Sequence, residues 1–288
     1  MICYNVNMKK EILDFLQKEN IDMYGITDTS RCNIKLGHVL KRAGFAVDEG
    51  DDGKTPRSML CLCFPYFCGY PKNFSAYAAS RDYHVFCADF FARFTELLSR
   101  IYPQYTFCGF ADKSPYDEVY AASLAGLGKR GDNMLFLTEK YSSFVFLGEI
   151  VSDMPCEEWE CEARSASDPC LHCGKCQKAC PGYAADEFFC LSALTQKKGE
   201  LTEDEKNIIR KYKSAWGCDI CQQVCPVTEK AIKCGSIYTP IEFFKIDRTE
   251  HLTSALIENM SDEEFKSRAY SWRGKQTVLR NLKILEED

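Results

Sequence analysis

Apolar side chains in the first half of the chain recur at the spacing of packed helices. Over residues 9–18, Ile12, Leu13 and Leu16 fall on one helical face, and over residues 86–101 apolar side chains recur every three or four positions. The second stripe predicts a helix that packs against a core. Residues 116–125 predict a third helix, and the following Gly126 stands where a C-terminal cap is expected.

Short uninterrupted apolar runs predict buried strands between these helices. The runs cover residues 58–65, 105–110, 134–138 and 144–152. Helices mixed with strands predict an α/β domain over residues 1–155. Cysteine dominates residues 156–235 and residues 236–288 have a helical pattern, so we expect a ferredoxin-like domain followed by a helical C-terminal segment.

Cysteine is the unusual feature of the composition. The chain has 288 residues, 18 of them cysteines, and a net charge of −6. The N-terminus shows no apolar segment after a basic start, and no run approaches the ~18 apolar residues of a membrane helix, so we expect a cytoplasmic protein without a membrane partner. Cytosolic thiols stay reduced, and cysteines at this density therefore indicate metal ligands rather than disulfides.

Eight cysteines form two related motifs. The first motif has C-x2-C-x2-C-x3-C-P spacing and consists of Cys170, Cys173, Cys176 and Cys180, followed by Pro181. This spacing is typical of proteins with two [4Fe–4S] clusters, in which the fourth cysteine binds the other cluster. The second motif repeats the x2, x3 and proline spacing after a distant first cysteine, and consists of Cys190, Cys218, Cys221 and Cys225, followed by Pro226.

The crossover of the fourth cysteine gives a definite ligand assignment. One cluster is predicted to bind Cys170, Cys173, Cys176 and Cys225, and the other Cys180, Cys190, Cys218 and Cys221. Two four-cysteine zinc sites are the alternative, although zinc sites seldom use a third cysteine at this spacing. Two clusters in one small module suit the relay of single electrons, with a purely structural role as the alternative. Cys61, Cys63 and Cys87 lie in apolar segments and are interpreted as small hydrophobic residues.

Segments on both sides of the cysteine motifs resemble the epoxyqueuosine reductase family. In chain order they are YAASRDYH at 77–84, ADKSP at 111–115, AGLGKRGDN at 125–133, SSFVFLGEIVSD at 142–153, CLSALT at 190–195 and GCDIC at 217–221. Their order and spacing carry the resemblance, which covers most of the chain from residue 57 to residue 282.

The resemblance implies a cobalamin-dependent iron–sulfur reductase that acts on epoxyqueuosine in tRNA. The α/β domain would be of the flavin-reductase-like type and would hold cobalamin without a protein histidine on its metal. The two clusters would pass it electrons from an external one-electron donor of the ferredoxin or flavodoxin type. The family's general acid corresponds to Asp112, and the residues matching the cobalamin site are Tyr83, His84, Gly126, Gly128 and Gly131.

Asp112 has two interpretations. A carboxyl beside a large apolar cofactor can stay protonated near neutral pH, as a proton donor to the oxygen of an opened epoxide must. A turn or a helix N-cap before Ser114 and Pro115 is the alternative. The glycines and His84 also have alternatives to a role in the cobalamin site. The three glycines can serve loop geometry, and His84 can have a structural role at the start of a helix.

The sequence departs from the family in three places. Gly-Lys-Arg-Gly-Asp at residues 128–132 replaces the family's Gly-Trp-x-Gly-Lys, which changes the chemistry of the predicted pocket. Asp117, Glu118 and Val119 stand where the family has a glutamate–arginine pair. The family's C-terminal helical repeats, which contribute to tRNA binding, would begin near Asp288, where this sequence ends.

A basic segment near the C-terminus contains no acidic residue. Its basic residues are Lys266, Arg268, Arg273, Lys275, Arg280 and Lys283, with Tyr270 and Trp272 between them. Such a segment predicts contacts with the phosphates of tRNA. An equally good alternative is a solvated helix face that turns Val278, Leu279 and Leu282 inward.

Two other functions remain open beside the tRNA-directed reductase. One is an electron-transfer protein that holds both clusters and binds no corrin. The other is a related reductase whose substrate is not tRNA. Cobalamin binding separates the first alternative from the two enzymes, and turnover with tRNA separates the enzymes from each other.

Overall fold

The computed structural model describes residues 8–48, 50–161, 167–183 and 189–287. The chain packs into two units: the first contains residues 1–65 and 84–171, and the second contains residues 66–83 and 172–288. These units do not coincide with the division into 1–155, 156–235 and 236–288, because residues 66–83 pack with the second unit and the cysteine motifs pack with the C-terminal helices. As a division into domains, the three-part scheme stays a prediction.

The first unit has a mixed α/β architecture, as predicted. Its helices are α1 (Lys10–Lys18), α2 (Gly37–Arg42), α3 (Tyr83–Ile101) and α4 (Glu118–Leu124). Its strands are β1 (Tyr24–Asp28), β2 (Ser58–Pro65), β3 (Phe107–Phe110), β4 (Lys129–Arg130), β5 (Phe136–Leu137) and β6 (Val145–Ser152). An antiparallel sheet has the order β1-β2-β6-β3, and β4 and β5 form a separate antiparallel hairpin.

Helices cover both faces of the four-stranded sheet, and every residue of β2 is therefore buried. On one face the ring of Phe64 packs edge-on against Phe86 and Phe90 of α3, with ring centroids 5.2 and 5.1 Å apart. On the other face Cys61 and Cys63 belong to the apolar core that includes the alanines of α4. Both thiols are buried, as their interpretation as small hydrophobic residues requires.

Two glycines allow α3 to lie close to the sheet. A Cβ atom on Gly109 of β3 would be 2.3 Å from Phe91 of α3, and one on Gly148 of β6 would be 2.9 Å from Phe91 and 2.5 Å from Phe64 of β2. A larger residue at either position would push the phenylalanines of α3 away from the strands. This close packing holds α3 against β3 and β6, the two strands that carry the residues of the candidate site.

The apolar pattern predicted the long elements well and the short ones poorly. α1, α3, β2 and β6 match the predicted segments within a few residues, and Gly126 has the positive φ of a helix-capping glycine, +81°. The strand predicted over residues 134–138 is only the two-residue β5, and β1 and α2 were not predicted. Leu13 is only partly buried, whereas Ile12 and Leu16 face the core.

The second unit is built from short helices joined by loops. They are α5 (Lys175–Ala179), α6 (Leu191–Thr195), α7 (Glu203–Tyr212), α8 (Ile220–Gln223), α9 (Pro226–Lys233), α10 (Ser254–Asn259), α11 (Asp262–Lys266) and α12 (Lys275–Glu286). The helical pattern predicted after residue 235 is thus confirmed. None of the helices in the described ranges has the length and apolar character needed to cross a membrane.

Segment 66–83 is held in the second unit by backbone and side-chain hydrogen bonds. The Ser75 N–H donates to the Trp216 carbonyl at 2.8 Å, and the Asn73 amide both donates to and accepts from the backbone of Leu252. Asn281 of α12 is fully buried and donates to the carbonyls of Thr195 and Ala215 at 2.6 and 2.9 Å. These bonds join the cysteine-bearing loops to the C-terminal helix.

Candidate functional site

Asp112 lies in a tight loop that begins directly after β3. The Lys113 N–H donates to the Ala111 carbonyl at 2.7 Å, and Asp112 has a φ of +61°, which non-glycine residues seldom adopt. About half of its side chain, 53%, is exposed. The N-cap of α4 is Asp117, so the alternative that made Asp112 a helix cap is wrong, and a turn is what the structure shows.

The fold brings Asp112 into contact with a second residue of the predicted site. His84, in the first turn of α3, places Nε2 at 3.1 Å from Asp112 Oδ2, and 52% of its side chain is exposed. An imidazole and a carboxyl at this distance form an ion pair when the imidazole is protonated, and a proton can pass between them at an accessible surface. Tyr83, in contrast, is only 8% exposed and offers little surface to a ligand. Their roles in cobalamin binding stay predictions.

Two further carboxyls lie behind the Asp112 loop, and sequence reasoning missed both. Glu149 of β6 is 1% exposed and accepts a hydrogen bond from the Ser114 hydroxyl. Glu118, the first residue of α4, accepts one from the backbone N–H of Asp112. In each glutamate Oε1 is buried and has no partner among the described residues. The available signal was Glu149 itself, a charged residue in the middle of the apolar run of β6.

The glycines Gly126 and Gly128 are explained by the chain's own backbone. Gly126 follows α4 with a positive φ, and the Leu127 N–H donates to the Ala122 carbonyl, as at a glycine-capped helix end. A Cβ atom on Gly128 would lie 2.2 Å from the carbonyl oxygen of Leu137. Loop geometry therefore accounts for both positions, and a role beside cobalamin stays a prediction.

Apolar side chains are exposed around the β4–β5 hairpin, where Gly131 lies. Met134 and Leu135 in the hairpin turn are 65% and 37% exposed, and Tyr120 on α4 is 47% exposed. The Gly131 N–H donates to the Leu135 carbonyl at 2.9 Å and closes this turn. Grouped exposed apolar side chains often mark a ligand surface, so the residues present fit a large cofactor with an apolar face.

Cys218 and Cys221 in the second unit lie within electrostatic range of other predicted ligand cysteines, and how the ligands divide between the two clusters stays a prediction. Burial raises the pKa of Cys218 to about 11 and that of Cys221 to about 12. The negative charges of Asp219, Cys190 and Cys180 add to the increase at Cys218. The charges of Cys218, Cys180, Asp219 and Cys176 add to the increase at Cys221. Thiols held so close ionise readily only around a positive centre, so this donor set fits an iron–sulfur cluster.

The local structure of the other cysteines also follows the motif. Gly174 has a φ of +70° and starts α5, which carries Cys176 and ends at Cys180. Cys225 is the N-cap of α9 and the next residue is a proline, which suits the first position of a helix. Cys170 belongs to the first unit, where its N–H donates to Asp168 at 3.0 Å. The set Cys170, Cys173, Cys176 and Cys225 stays a prediction.

A buried carboxyl anchors the loop between Cys218 and Cys221. Asp219 is 5% exposed and accepts hydrogen bonds from the Ser75 hydroxyl, from the Ala76 N–H at 2.6 Å and from the Gln222 amide at 3.0 Å. Segment 66–83 therefore helps to position two predicted cluster ligands. Sequence reasoning missed this role because the partners are 143 and 144 residues apart.

Half of the basic residues between 266 and 283 are engaged in packing. Lys275 donates to the Met260 carbonyl at 2.9 Å, and Arg280 donates to the Lys197 carbonyl at 2.8 Å. Arg268 donates to the carbonyl of Asp247. Val278, Leu279 and Leu282 of α12 are buried, as the alternative for this segment predicted.

Of the other three basic residues two are exposed, and Arg273 is half-buried with its Nε atom out of contact with solvent. The guanidinium of Arg273 lies 3.8 Å from the ring centroid of Trp272, which is 56% exposed. Lys266 and Lys283 are exposed on α11 and α12. An aromatic ring beside several cations can contact single-stranded nucleic acid, so the predicted phosphate-binding role now depends on Lys266, Arg273 and Lys283.

Residues 169–228 match a family model described as a 4Fe-4S double cluster binding domain. The predicted pair of [4Fe–4S] clusters is thereby confirmed. The epoxyqueuosine reductase of Gloeobacter violaceus is 30% identical over 230 residues, which cover 73% of this chain and 68% of that protein. This chain belongs to the epoxyqueuosine reductase family. The predicted family resemblance is confirmed.

Other members of the family are similar in sequence and in fold. The enzyme of Listeria monocytogenes is 34% identical over 215 residues, covering 71% of this chain and 54% of that protein. This chain therefore spans between about half and two thirds of the length of these relatives. The structure of the enzyme from Streptococcus thermophilus has a TM-score of 0.71 at 21% identity, covering 97% of this chain and 80% of that one. A family structure with an epoxyqueuosine-modified tRNA stem loop has a TM-score of 0.68 at 22% identity.

Proposed function

We propose that this protein reduces epoxyqueuosine to queuosine in tRNA, with cobalamin and two [4Fe–4S] clusters as cofactors. The observation that carries the proposal is the combination of family membership with an accessible Asp112–His84 pair at the end of β3. The family structure with a modified tRNA stem loop supports tRNA as the substrate. A tRNA substrate is also consistent with a cytoplasmic enzyme.

The first unit would hold the cobalamin. Its α/β sheet would be the flavin-reductase-like scaffold, and the exposed side chains of Tyr120, Met134 and Leu135 would cover an apolar face of the corrin. The bound cofactor would supply a strongly reducing metal, recharged through the two clusters from an external one-electron donor. Lys129 and Arg130, both exposed on β4, would lie near the polar edge of such a ligand.

Asp112 would supply the proton that the reaction consumes. Removal of an epoxide oxygen leaves negative charge on that oxygen, and a positioned acid neutralises it as the C–O bond breaks. Asp112 is accessible, and its neighbour His84, 3.1 Å away, can orient the carboxyl and return a proton to it from solvent. The left-handed backbone at Asp112 supports a functional role, because such strain persists mostly where the surrounding structure enforces it.

The second unit would contribute to tRNA binding through two exposed lysines and the half-buried Arg273. Lys266, Arg273 and Lys283 would contact phosphates, and Trp272 would stack on an unpaired base. Arg280 and Lys275 would act indirectly, because their side chains hold helix ends in place.

The test is turnover by the anaerobically reconstituted protein with cobalamin, a low-potential reductant and tRNA that contains epoxyqueuosine. Queuosine is measured in the digested tRNA by mass spectrometry. We expect turnover by the wild type and by the surface control Asp14→Asn, and a loss of about 100-fold or more in Asp112→Asn with both clusters retained. Full activity of Asp112→Asn would refute its role as the acid.

Cofactor binding separates the remaining alternatives. An EPR titration with cob(II)alamin is expected to show one bound equivalent. No binding with both clusters intact would favour the two-cluster electron carrier. Binding without any turnover of tRNA would favour a reductase that acts on another substrate.

A further inference from the structure

Four exposed lysines lie on the two helices that adjoin the cysteine motifs of the second unit. Residues 172–183 and 220–234 contain these lysines and only one acidic residue, Glu229. We call the four residues the lysine face; they are Lys175 and Lys178 on α5 and Lys230 and Lys233 on α9. The chain as a whole has a net charge of −6, so the lysine face is a local excess of positive charge in an acidic protein.

The lysines of the two helices belong to one surface. Within each helix they are three residues apart and therefore lie on the same side. α5 packs against α8, and α8 packs against α9. Glu229 joins the two pairs, because the hydrogen bond from Lys233 Nζ at 2.6 Å lowers the pKa of this carboxyl and the charge of Lys175 adds to the decrease.

Most of the positive charge on the lysine face is not neutralised. Lys233 is paired with Glu229, but no carboxylate of the described residues lies within ion-pair distance of Lys175, Lys178 or Lys230. The field of such ammonium groups extends about 10 Å into a solution of 0.1 M salt. A lysine ammonium is also compact and strongly hydrated, so it suits a weak contact better than the rigid fork of an arginine does.

The lysine face adjoins predicted ligands of one cluster. Cys176 follows Lys175 on α5, and Cys173, in the loop before α5, is exposed. Val224 precedes Cys225 and is 37% exposed, which gives this surface an apolar side chain as well as cations. An apolar centre with charged residues around it is typical of protein interfaces, and weak redox complexes use the smallest of them.

We propose that the lysine face docks a small acidic protein that donates single electrons to the cluster predicted to bind Cys170, Cys173, Cys176 and Cys225. One electron leaves the reduced donor and enters this cluster, and no bond is formed or broken. Opposite charges steer the two proteins together, so association is fast although the complex is weak enough to release the oxidised donor. The inference rests on the proposed relay of electrons through the clusters, and it adds the entry surface and the charge of the partner.

A protein donor fits the lysine face better than RNA does. Residues 172–183 and 220–234 contain neither arginine nor tryptophan. The proposed tRNA contacts include Arg273 beside the exposed ring of Trp272, and α12, which follows them, packs against α6, α7 and α10. The two charged surfaces therefore differ in composition and in the helices that form them.

Stopped-flow reduction of the cluster-loaded protein tests the lysine face without cobalamin, tRNA or turnover. The probe is flavodoxin in its hydroquinone form, an acidic one-electron donor, and the loss of cluster absorption gives the second-order rate constant. Lys230→Glu combined with Lys233→Glu reverses two charges on α9 and leaves α5 and the predicted ligands unchanged. We expect the rate constant of this variant to fall about tenfold or more at low ionic strength, and its dependence on salt to flatten.

Lys198→Glu combined with Lys206→Glu is the matched control, because it changes the net charge of the second unit equally. Lys206 is paired with Glu203 at 2.6 Å, as Lys233 is with Glu229, and Lys198 is exposed like Lys230. We expect the control to keep the rate constant of the wild type within about twofold. An EPR-monitored redox titration should give the same cluster potentials in all three proteins. Equal rate constants in the two variants would overturn the proposal, as would a shift in potential that accounts for the slower reduction.

Two further outcomes separate this proposal from its neighbours. Weaker tRNA binding by the α9 variant, with reduction by flavodoxin at the wild-type rate, would overturn the proposal in favour of a nucleic-acid contact. Dithionite needs no protein docking surface, so a lack of queuosine formation with dithionite and intact clusters would refute the proposed function alone. The slower reduction of the α9 variant by flavodoxin would still support the lysine face in that case.

Discussion

Burial of Glu149 as a neutral acid makes the stability of the first unit depend on pH. The unfolded chain ionises this carboxyl with an ordinary pKa of 4.5, whereas the folded chain keeps the proton up to about 8. Between these values the folded state binds the additional proton, so each increase in pH favours unfolding. The stabilising contribution is complete below pH 4.5 and is lost as the pH rises through 8.

The size of this loss of stability follows from the interval between the unfolded and folded pKa values of Glu149. The interval from 4.5 to about 8 spans roughly 3.5 pH units, and at about 1.4 kcal/mol per unit it corresponds to roughly 5 kcal/mol. Ionisation of Glu118 adds a second, smaller decrease in the free energy of unfolding, which ends near pH 7. Glu149→Gln should remove the larger decrease, so that the variant resembles the wild type at pH 5 and is the more stable protein at pH 9.

Hydrogen exchange of the β6 backbone measures this effect in the cluster-loaded protein. The opening free energy of a peptide covering Val145–Ser152 is compared between wild type and variant at each pH, so that the intrinsic exchange rate cancels. Glu96→Gln, on the exposed face of α3, is the matched control and should follow the wild type. A wild-type opening free energy that does not change between pH 5 and 9 would refute the reasoning. So would an opening free energy that falls equally with pH in Glu149→Gln.

Three further predictions concern the second unit. Cys180→Ala and Cys176→Ala should each damage a different cluster, and identical Mössbauer spectra of the two variants would contradict the crossover assignment. Ser75→Ala removes a hydrogen bond to a buried carboxyl, which should cost about 1–3 kcal/mol and speed the loss of iron to a chelator; an unchanged rate would argue against this anchor. Arg273→Glu should weaken tRNA binding and lower its salt slope by about one, whereas Lys275→Gln should lower helix stability and leave the slope unchanged; equal slopes in all three proteins would refute the phosphate contact.

The sequence was informative where a local rule determines the structure. α3 and β2 could be predicted because their apolar periodicity reflects burial against neighbours on one face or on both faces. The two clusters could be predicted because the cysteine spacing is typical of a double-cluster domain, whereas the division of the ligands between the clusters stays a prediction. Neither inference requires knowledge of distant parts of the chain.

The missed features depend on partners far away in sequence. Segment 66–83 has no strong periodic pattern, and only its bonds to Trp216 and Leu252 assign it to the second unit. Ser114 and Glu149 are 35 residues apart, so nothing in the local sequence of either predicts their hydrogen bond. Asp112 was identified through resemblance to the family, because a single aspartate before a proline has too many ordinary roles.

Two exceptions to the usual rules of folding lie at the end of β3, and a third lies on α4 and the β4–β5 hairpin. Asp112 adopts a backbone conformation that suits glycine, Glu149 places a carboxyl in an apolar strand, and Met134 and Tyr120 expose apolar surface on neighbouring segments. Each exception destabilises the free fold, and a sequence selected for stability alone would remove it. Their occurrence in one unit is the pattern expected when a site is built to hold a proton donor beside an apolar ligand. The Ser114 hydroxyl, two residues after Asp112, donates to the buried Glu149 carboxyl and thereby ties this loop to β6.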